Sequence, residues 1–308
     1  MASKSYDINI IEKDYTPFQE LNLEFSGDDI NKVLINTLRR VILLDNPTYA
    51  FHNLQVKKNT SVFNNDYLKM RLLNIPVQKI KNNEVNNYLN IINNNINTDK
   101  LEKLTLYIDV KNNTNEKLNV TTADATFYNE SEQIESIYKY PILLIKLKPT
   151  EEIKLSININ LDIGHTHIKY SPVSICAFEE VTPNKFNFSI EANKQLNEYK
   201  ILSNSCKIIQ IKLNKILDVI NEMPSNNNDT EGYIELKNEN HTMANLITYY
   251  LQSSKYILFA GYKMDHLLIN NSTIRYKLTG EKTINQVLVL VINQIISIYS
   301  YIGNKFNK

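Results

Sequence analysis

The chain has 308 residues, enough for about two or three ordinary domains, with 34 basic against 33 acidic residues and a formal net charge of +1. That balance excludes a global electrostatic pull toward nucleic acid or an anionic membrane and favours a protein or small-molecule partner. Cys176 and Cys206 are the only cysteines, so one disulfide at most is available, a four-thiolate zinc or iron–sulfur site is excluded, and a reducing, intracellular setting is the simpler expectation. The opening MASKSYDINI has no apolar run of secretory length.

In chain order, Tyr6 to Glu12 and Leu21 to Phe25 alternate apolar and polar residues and predict two strands joined by a turn at Asp14 to Pro17. Ser26-Gly27-Asp28-Asp29 reads as a helix start, with Ser26 capping and the acidic pair at the positive end of the dipole, so a helix is expected over Asp28 to Leu44. Val33, Leu34, Leu38, Val41 and Ile42 recur on one stripe, Arg39 and Arg40 interrupt it, and Pro47 stops the helix. Short strands follow, then a helical piece over Asp66 to Leu73. The Asn-rich stretch Lys79 to Lys100 reads as a surface loop or a frayed helix.

From Leu101 the pattern is β: Leu104 to Val110, Leu118 to Thr122, Ile142 to Leu147 and the strictly alternating Ile153 to Ile163. A strand over Phe186 to Glu191 precedes a long helix over Asn197 to Asn221. That helix carries Leu202, Cys206, Ile209, Leu213, Ile216, Leu217 and Ile220 on one face, with Lys207, Lys212, Lys215 and Asp218 elsewhere. Pro224 to Gly232 has the composition of a linker. Beyond it lie a strand (Tyr233 to Leu236), a helix capped by Thr242 and running to Gln252, two strands (Ile257 to Lys263 and Ser272 to Leu278) and an uncharged helix over Ile284 to Ile302. The last helix is long enough to span a membrane. Gln286, Asn293, Ser297 and Ser300 share one stripe, however, and Ile284, Val287, Leu288, Val291, Ile292, Ile295 and Tyr299 another, which favours one-sided packing in a core.

Candidate chemistry is sparse. His165 and His167 alternate on what should be one strand face near Cys176, a spacing compatible with metal ligation, but no second ligand pair follows and a structural role is expected. His241 reads as a helix-start residue. No Gly-x-Ser-x-Gly, phosphate-cradling glycine loop or Asp-x-Asp-x-Asp occurs, so neither catalytic residues nor a cofactor or metal site are expected. Asp28-Asp29 and Glu179-Glu180 read as helix-start and surface charge. Lys57, Lys58, Lys69 and Arg71 lack aromatic interleaving, so surface or subunit contact is expected rather than DNA binding. Arg39 and Arg40 project about 100° apart on a helix, so at least one should approach a partner or a carboxylate.

The run Asn36-Thr37-Leu38-Arg39-Arg40, then Pro47-Thr48, Asn59-Thr60-Ser61-Val62 and Arg71-Leu72-Leu73-Asn74-Ile75-Pro76-Val77, resembles the assembly motif of the alpha-like subunits of multisubunit RNA polymerases, the third-largest subunit of RNA polymerase II above all. Val120-Thr121-Thr122-Ala123-Asp124 is similar to a loop of the bacterial alpha subunit. Leu147-Lys148-Pro149 with Glu152 resembles the eukaryotic and archaeal versions, and Gly164 to Val173 resembles the point where the chain leaves an inserted domain. Asn240-His241-Thr242-Met243-Ala244-Asn245-Leu246 with Phe259-Ala260-Gly261-Tyr262-Lys263 resembles the small eleventh subunit, departing from it at Asn240, Ala244, Asp265 and Leu267.

This resemblance implies an α+β chain that fuses the two alpha-like subunits, as in large nucleocytoplasmic DNA viruses. The expected divisions are a dimerisation domain at 1–49 and 168–222, a mainly β insert at 50–167, a linker at 223–230 and a small alpha-like domain at 231–308. Helices from the two halves should form an internal pseudo-dimer through Leu34, Leu38, Val41, Leu213, Leu217, Leu246, Leu288, Ile292 and Ile295. Asn36, Arg39 and Arg40 should face outward toward the second-largest polymerase subunit. The largest subunit and small zinc-containing subunits are the other implied partners, with no sequence-specific DNA binding, no membrane, and no catalysis in this chain. Location would be the host cytoplasm and the virion if viral, the nucleus if cellular. A stand-alone adaptor with this fold, or a metal-dependent hydrolase using His165 and His167, are the alternatives.

Overall fold

The computed structural model describes residues 6–17, 19–80, 87–93, 101–222, 230–264, 266 and 269–307. Most of the expected linker, parts of the Asn-rich stretch, and Asp265 and Leu267 lie outside them. The fold is α+β, and every strand pairing among the described residues is antiparallel.

Strands β1 (Asn9–Thr16) and β2 (Glu20–Ser26) form a hairpin that leads into α1 (Lys32–Leu44). Much later β10 (Val173–Thr182), β11 (Lys185–Ala192) and α4 (Glu198–Glu222) complete the same unit, with strand order β1-β2-β11-β10. Phe25 lies opposite Phe186, Leu23 opposite Phe188 and Leu21 opposite Ile190, all buried, so one face of this sheet is a row of large apolar pairs. The helix start differs from expectation. Ser26 ends β2, and Asn31 caps α1 by accepting from the Leu34 amide. Asp28 and Asp29 clasp the N-terminal strand instead: Asp29 Oδ2 accepts the Asp7 amide and Asp7 Oδ2 accepts the Asp28 amide, both at 2.9 Å. Gly27 permits this turn, since it has φ +128° and a Cβ there would meet the Asp7 carbonyl oxygen at 2.0 Å.

The second unit repeats the plan: β12 (Glu231–Lys237), α5 (His241–Gln252), β13 (Ile257–Lys263), β14 (Asn271–Leu278) and α6 (Ile284–Lys305), with strand order β12-β14-β13. Thus β12, α5, β13, β14 and α6 correspond to β2, α1, β10, β11 and α4. The cap of α5 is Asn240, whose Oδ1 accepts the Thr242 amide, rather than Thr242 itself. Thr283 caps α6 in a reciprocal box with Gln286. By length and composition α6 could cross a membrane, yet Val287, Leu288, Val291, Ile292, Ile295, Ile298 and Tyr299 are buried inside the protein.

Helices of the two units pack into one layer, α4 against α6 and α1 against α5, and a single apolar core runs through both units. Between α1 and β10 the chain builds a second body from β3 (Thr48–Asn59), α2 (Asn65–Leu73), α3 (Asn87–Ile92), β4 (Leu104–Lys111), β5 (Leu118–Thr121), β6 (Ala125–Asn129), β7 (Glu132–Ile134), β8 (Leu143–Leu147) and β9 (Glu152–Asp162). Its strands form a sheet ordered β3-β9-β4-β6-β7 and a ribbon β5-β8. The long β9 joins the two bodies. Ile153, Leu155 and Ile157 enter the core of the insert, Leu161 the shared core, and Ile159 touches both. From the Asn-rich stretch, α3 sends Tyr88 and Ile91 into the shared core.

Candidate assembly interface

Leu34, Leu38, Val41, Leu213, Leu246, Leu288, Ile292 and Ile295 are all buried in the shared core, and Leu217 packs against it half-buried. Polar contacts stitch the same seam. The Tyr299 hydroxyl of α6 donates to the Leu34 carbonyl of α1 at 3.0 Å, and the Asn31 amide meets the Tyr250 hydroxyl at 3.4 Å. Asn46, fully buried after α1, donates to the Val41 carbonyl and to Ser205 Oγ of α4 at 2.8 Å, which closes the end of α1 and fixes it to α4. Between α4 and α6, a Cβ on Gly303 would meet the Cys206 Cβ at 3.1 Å.

The three residues expected to face outward divide. Arg39 is half-buried and donates through Nε and Nη2 to Asn36 Oδ1 at 3.1 and 3.0 Å, so the two side chains form one locally braced polar group. Arg40 turns the other way, since its Nε donates to Thr242 Oγ1 of the second unit at 2.6 Å. The expectation that both arginines point outward is therefore corrected for Arg40. Its neighbouring position on the helix carries it toward the first turn of α5.

A buried charge cluster lies at the junction of all three parts of the fold. Lys212 of α4 lies off the apolar face by helical spacing, yet it is 7 % exposed, with its ammonium 3.4 Å from Asp45 at the end of α1 and 3.6 Å from Glu239 of the second unit. Burial alone disfavours this ammonium. Asp45 and Glu239 outweigh that cost and hold its pKa above the ordinary value. His165 Nε2 approaches Asp45 at 3.4 Å, and burial, opposed by Asp45 and reinforced by Lys212 and Arg40, lowers the imidazole pKa. Sequence reasoning missed the cluster. A lysine amid Ile208, Ile209, Leu213 and Ile216 was its one available signal, because the partners come from distant segments.

The metal alternative loses its geometry: β9 ends at Asp162, and His165 and His167 sit in the turn beyond it, where His167 Nδ1 accepts the Lys169 amide. No group of three His, Cys, Asp or Glu side chains able to hold a metal ion occurs among the described residues. Burial pushes both cysteine thiols up to about 12. His241 opens α5. In the basic stretch, Lys58 pairs with Glu152 at 2.7 Å and Arg71 donates to the Leu143 and Leu144 carbonyls, which brace α2 against β8.

Fold and site together define a chain of two sheet-and-helix units that clasp through a common helical layer. The chain belongs to the RNA polymerase Rpb3/Rpb11 dimerisation domain family, which matches residues 24–213 and again residues 231–305. It is 29% identical, over 93% of its own length and 90% of the other, to a protein of Acanthamoeba polyphaga mimivirus named as a candidate DNA-directed RNA polymerase subunit. It is 26% identical to DNA-directed RNA polymerase II subunit RPB3 of Schizosaccharomyces pombe and 24% identical to RPAC1 of polymerases I and III of Homo sapiens, spanning 58% and 54% of those proteins. The chain is an alpha-like subunit of a DNA-directed RNA polymerase.

Proposed function

We propose that this chain is the non-catalytic assembly platform of a multisubunit RNA polymerase, a natural fusion of the two alpha-like subunits that nucleates the enzyme by binding its second-largest and largest subunits and then small zinc-containing subunits. The observation that carries this reading is the continuous core of α1, α4, α5 and α6, in which both family matches meet inside one polypeptide. Fusion replaces a bimolecular encounter with an intramolecular one at an effective concentration on the order of millimolar, so the platform forms without a search. In this scheme 1–49 with 168–222 is the first unit, 50–167 the insert, 223–230 the linker and 231–308 the second unit. Similarity to the mimivirus protein along most of the chain supports a viral enzyme. On this proposal it acts in the host cytoplasm and is carried in the virion.

Asn36 and Arg39 are the proposed contact to the second-largest subunit, with Arg40 contributing through its hold on α5. A guanidinium already braced by Asn36 loses little side-chain entropy on meeting a carboxylate. Co-expression with the two largest polymerase subunits tests the reading. Wild-type chain should recover both on affinity purification, and Arg39→Glu should lose the second-largest while melting at the wild-type temperature. Recovery of neither subunit by the wild-type chain refutes the platform role.

A further inference from the structure

The outer faces of the two unit sheets differ in chemistry. On the first, the side chains turned away from the helices include the cross-strand rows Asn22-Ser189-Ala177 and Glu24-Asn187-Glu179, with no aromatic ring among them. On the second, Ile234, Leu236, Ala260, Ile274 and Tyr276 point into the core, so alternation sends Tyr233, Phe259, Lys263, Arg275 and Lys277 outward, and all five are exposed. Tyr233, Arg275 and Gly261 lie side by side across β12, β14 and β13. The Arg275 guanidinium sits 5.7 Å from the Tyr233 ring centroid. From the other side the Phe259 ring leans over Gly261, where a Cβ would meet its Cζ at 3.2 Å. One cation is thus flanked by two rings about 10 Å apart, two strand spacings. Tyr233 is 65 % and Phe259 53 % exposed, an uncommon placement for large rings.

Lys237, Lys263, Arg275 and Lys277 make this face positive against Glu231 and Glu235. Both carboxylates are engaged, Glu231 by Lys277 at 4.0 Å and Glu235 by Asn271 Nδ2 at 3.3 Å. An apolar protein surface would cover the rings and leave the cations without counter-charge, and an acidic one would neutralise the cations and leave the rings bare. A single nucleic-acid strand offers π faces and phosphates together, whereas a duplex keeps its bases stacked on one another. Of the chain outside the described residues, the nearest stretches in sequence, 223–229 (MPSNNND) and Asp265 with Leu267 and Leu268, contain no ring and two carboxylates, so they do not supply such a ligand. We infer that the outer face of β12, β14 and β13 binds single-stranded nucleic acid, with bases stacked on Tyr233 and Phe259, Arg275 between them, and phosphates running past Lys263 and Lys277. Every base has a π face, so the site reads no sequence.

Fluorescence anisotropy of the purified full-length chain at low salt tests this, with labelled oligo(U) and oligo(dT) of about 12 nucleotides and a duplex of equal length as probes. The chain should bind at least one single strand more tightly than the duplex, and the two single strands separate RNA from DNA as the source. Tyr233→Ala and Phe259→Ala should each weaken that binding by about fivefold or more. Lys277→Gln should reduce the slope of log affinity against log salt by about 0.7. Lys146→Gln, which removes an exposed cation from the insert, should leave affinity unchanged. All four variants change exposed side chains and should melt with wild type. No binding to either strand, equal binding to the duplex, wild-type affinity in both aromatic variants, or equal loss in Lys146→Gln overturns the inference. Loss of a polymerase subunit from the aromatic variants with strand affinity intact does so too, and makes the face a protein contact. A wild-type chain that binds the strand yet recovers neither large subunit removes the platform role alone, and the reverse result removes this inference alone.

Discussion

Tyr299 and Leu34, 265 residues apart in sequence, are joined by a buried hydrogen bond from hydroxyl to backbone carbonyl at 3.0 Å. The tyrosine belongs to the last helix of the second unit and the leucine to the first helix of the first. Tyr299→Phe keeps the ring and removes the donor, and because a helical carbonyl retains its own i+4 partner the expected cost is about 1 kcal/mol. Thermal melting should report a drop of a few degrees, and an unchanged melt would show that the bond contributes nothing to holding the units together.

Leu38 lies 1 % exposed in the same layer. Truncation to alanine should cost about 3 kcal/mol, in the usual range for a buried leucine. Leu38→Asp buries an unpaired carboxylate there and should unfold the chain or part its halves, visible as rapid limited proteolysis. A folded, protease-resistant Leu38→Asp protein would mean that the stripe faces elsewhere.

Lys212→Met leaves Asp45 and Glu239 buried without their cation, and loss of one partner from a buried ion pair costs about 3 to 5 kcal/mol. The triple variant Lys212→Met, Asp45→Asn, Glu239→Gln removes the charges together and should recover most of that loss in denaturant melts. Equal destabilisation of the single and triple variants would show that the uncompensated carboxylates are not the source of the loss.

His165 supplies a pH dependence with a defined sign. Its folded-state pKa lies below the ordinary value of 6.5, so the unfolded chain binds the proton more readily and stability falls as pH drops from about 7 through the folded pKa. His52, also lowered by burial, contributes with the same sign and remains as background. Removing His165 as His165→Asn should flatten the slope of melting temperature against pH between about 7 and 5 relative to wild type. A parallel slope would assign the dependence to other groups.

Much of this fold is legible in the sequence wherever one face meets the core and the other meets water. The alternation of β9 and the stripes of α1, α4 and α6 declare themselves because burial and periodicity coincide. β10 does not: its residues are mostly exposed along the run from Ser174 to Thr182, so no period survives. Helix caps are misread where a competing bond wins, as at Asp28 and Asp29: the Asp29 carboxylate accepts the Asp7 amide, and the Asp28 amide donates to the Asp7 carboxylate. Arg40 and Lys212 escape for a different reason. Of their partners, Thr242 and Glu239 become neighbours only after the second unit docks and Asp45 only when α1 packs on α4, and spacing within one helix carries no record of either event.

The close meeting of Gly303 and Cys206 has a kinetic corollary. The thiol is sealed, and its raised pKa leaves almost no thiolate at neutral pH, so a disulfide reagent can reach it only when α6 lifts from α4. In a Cys176→Ser background, the labelling rate at Cys206 is therefore a clock for the breathing of the platform, carried by an unlabelled native side chain.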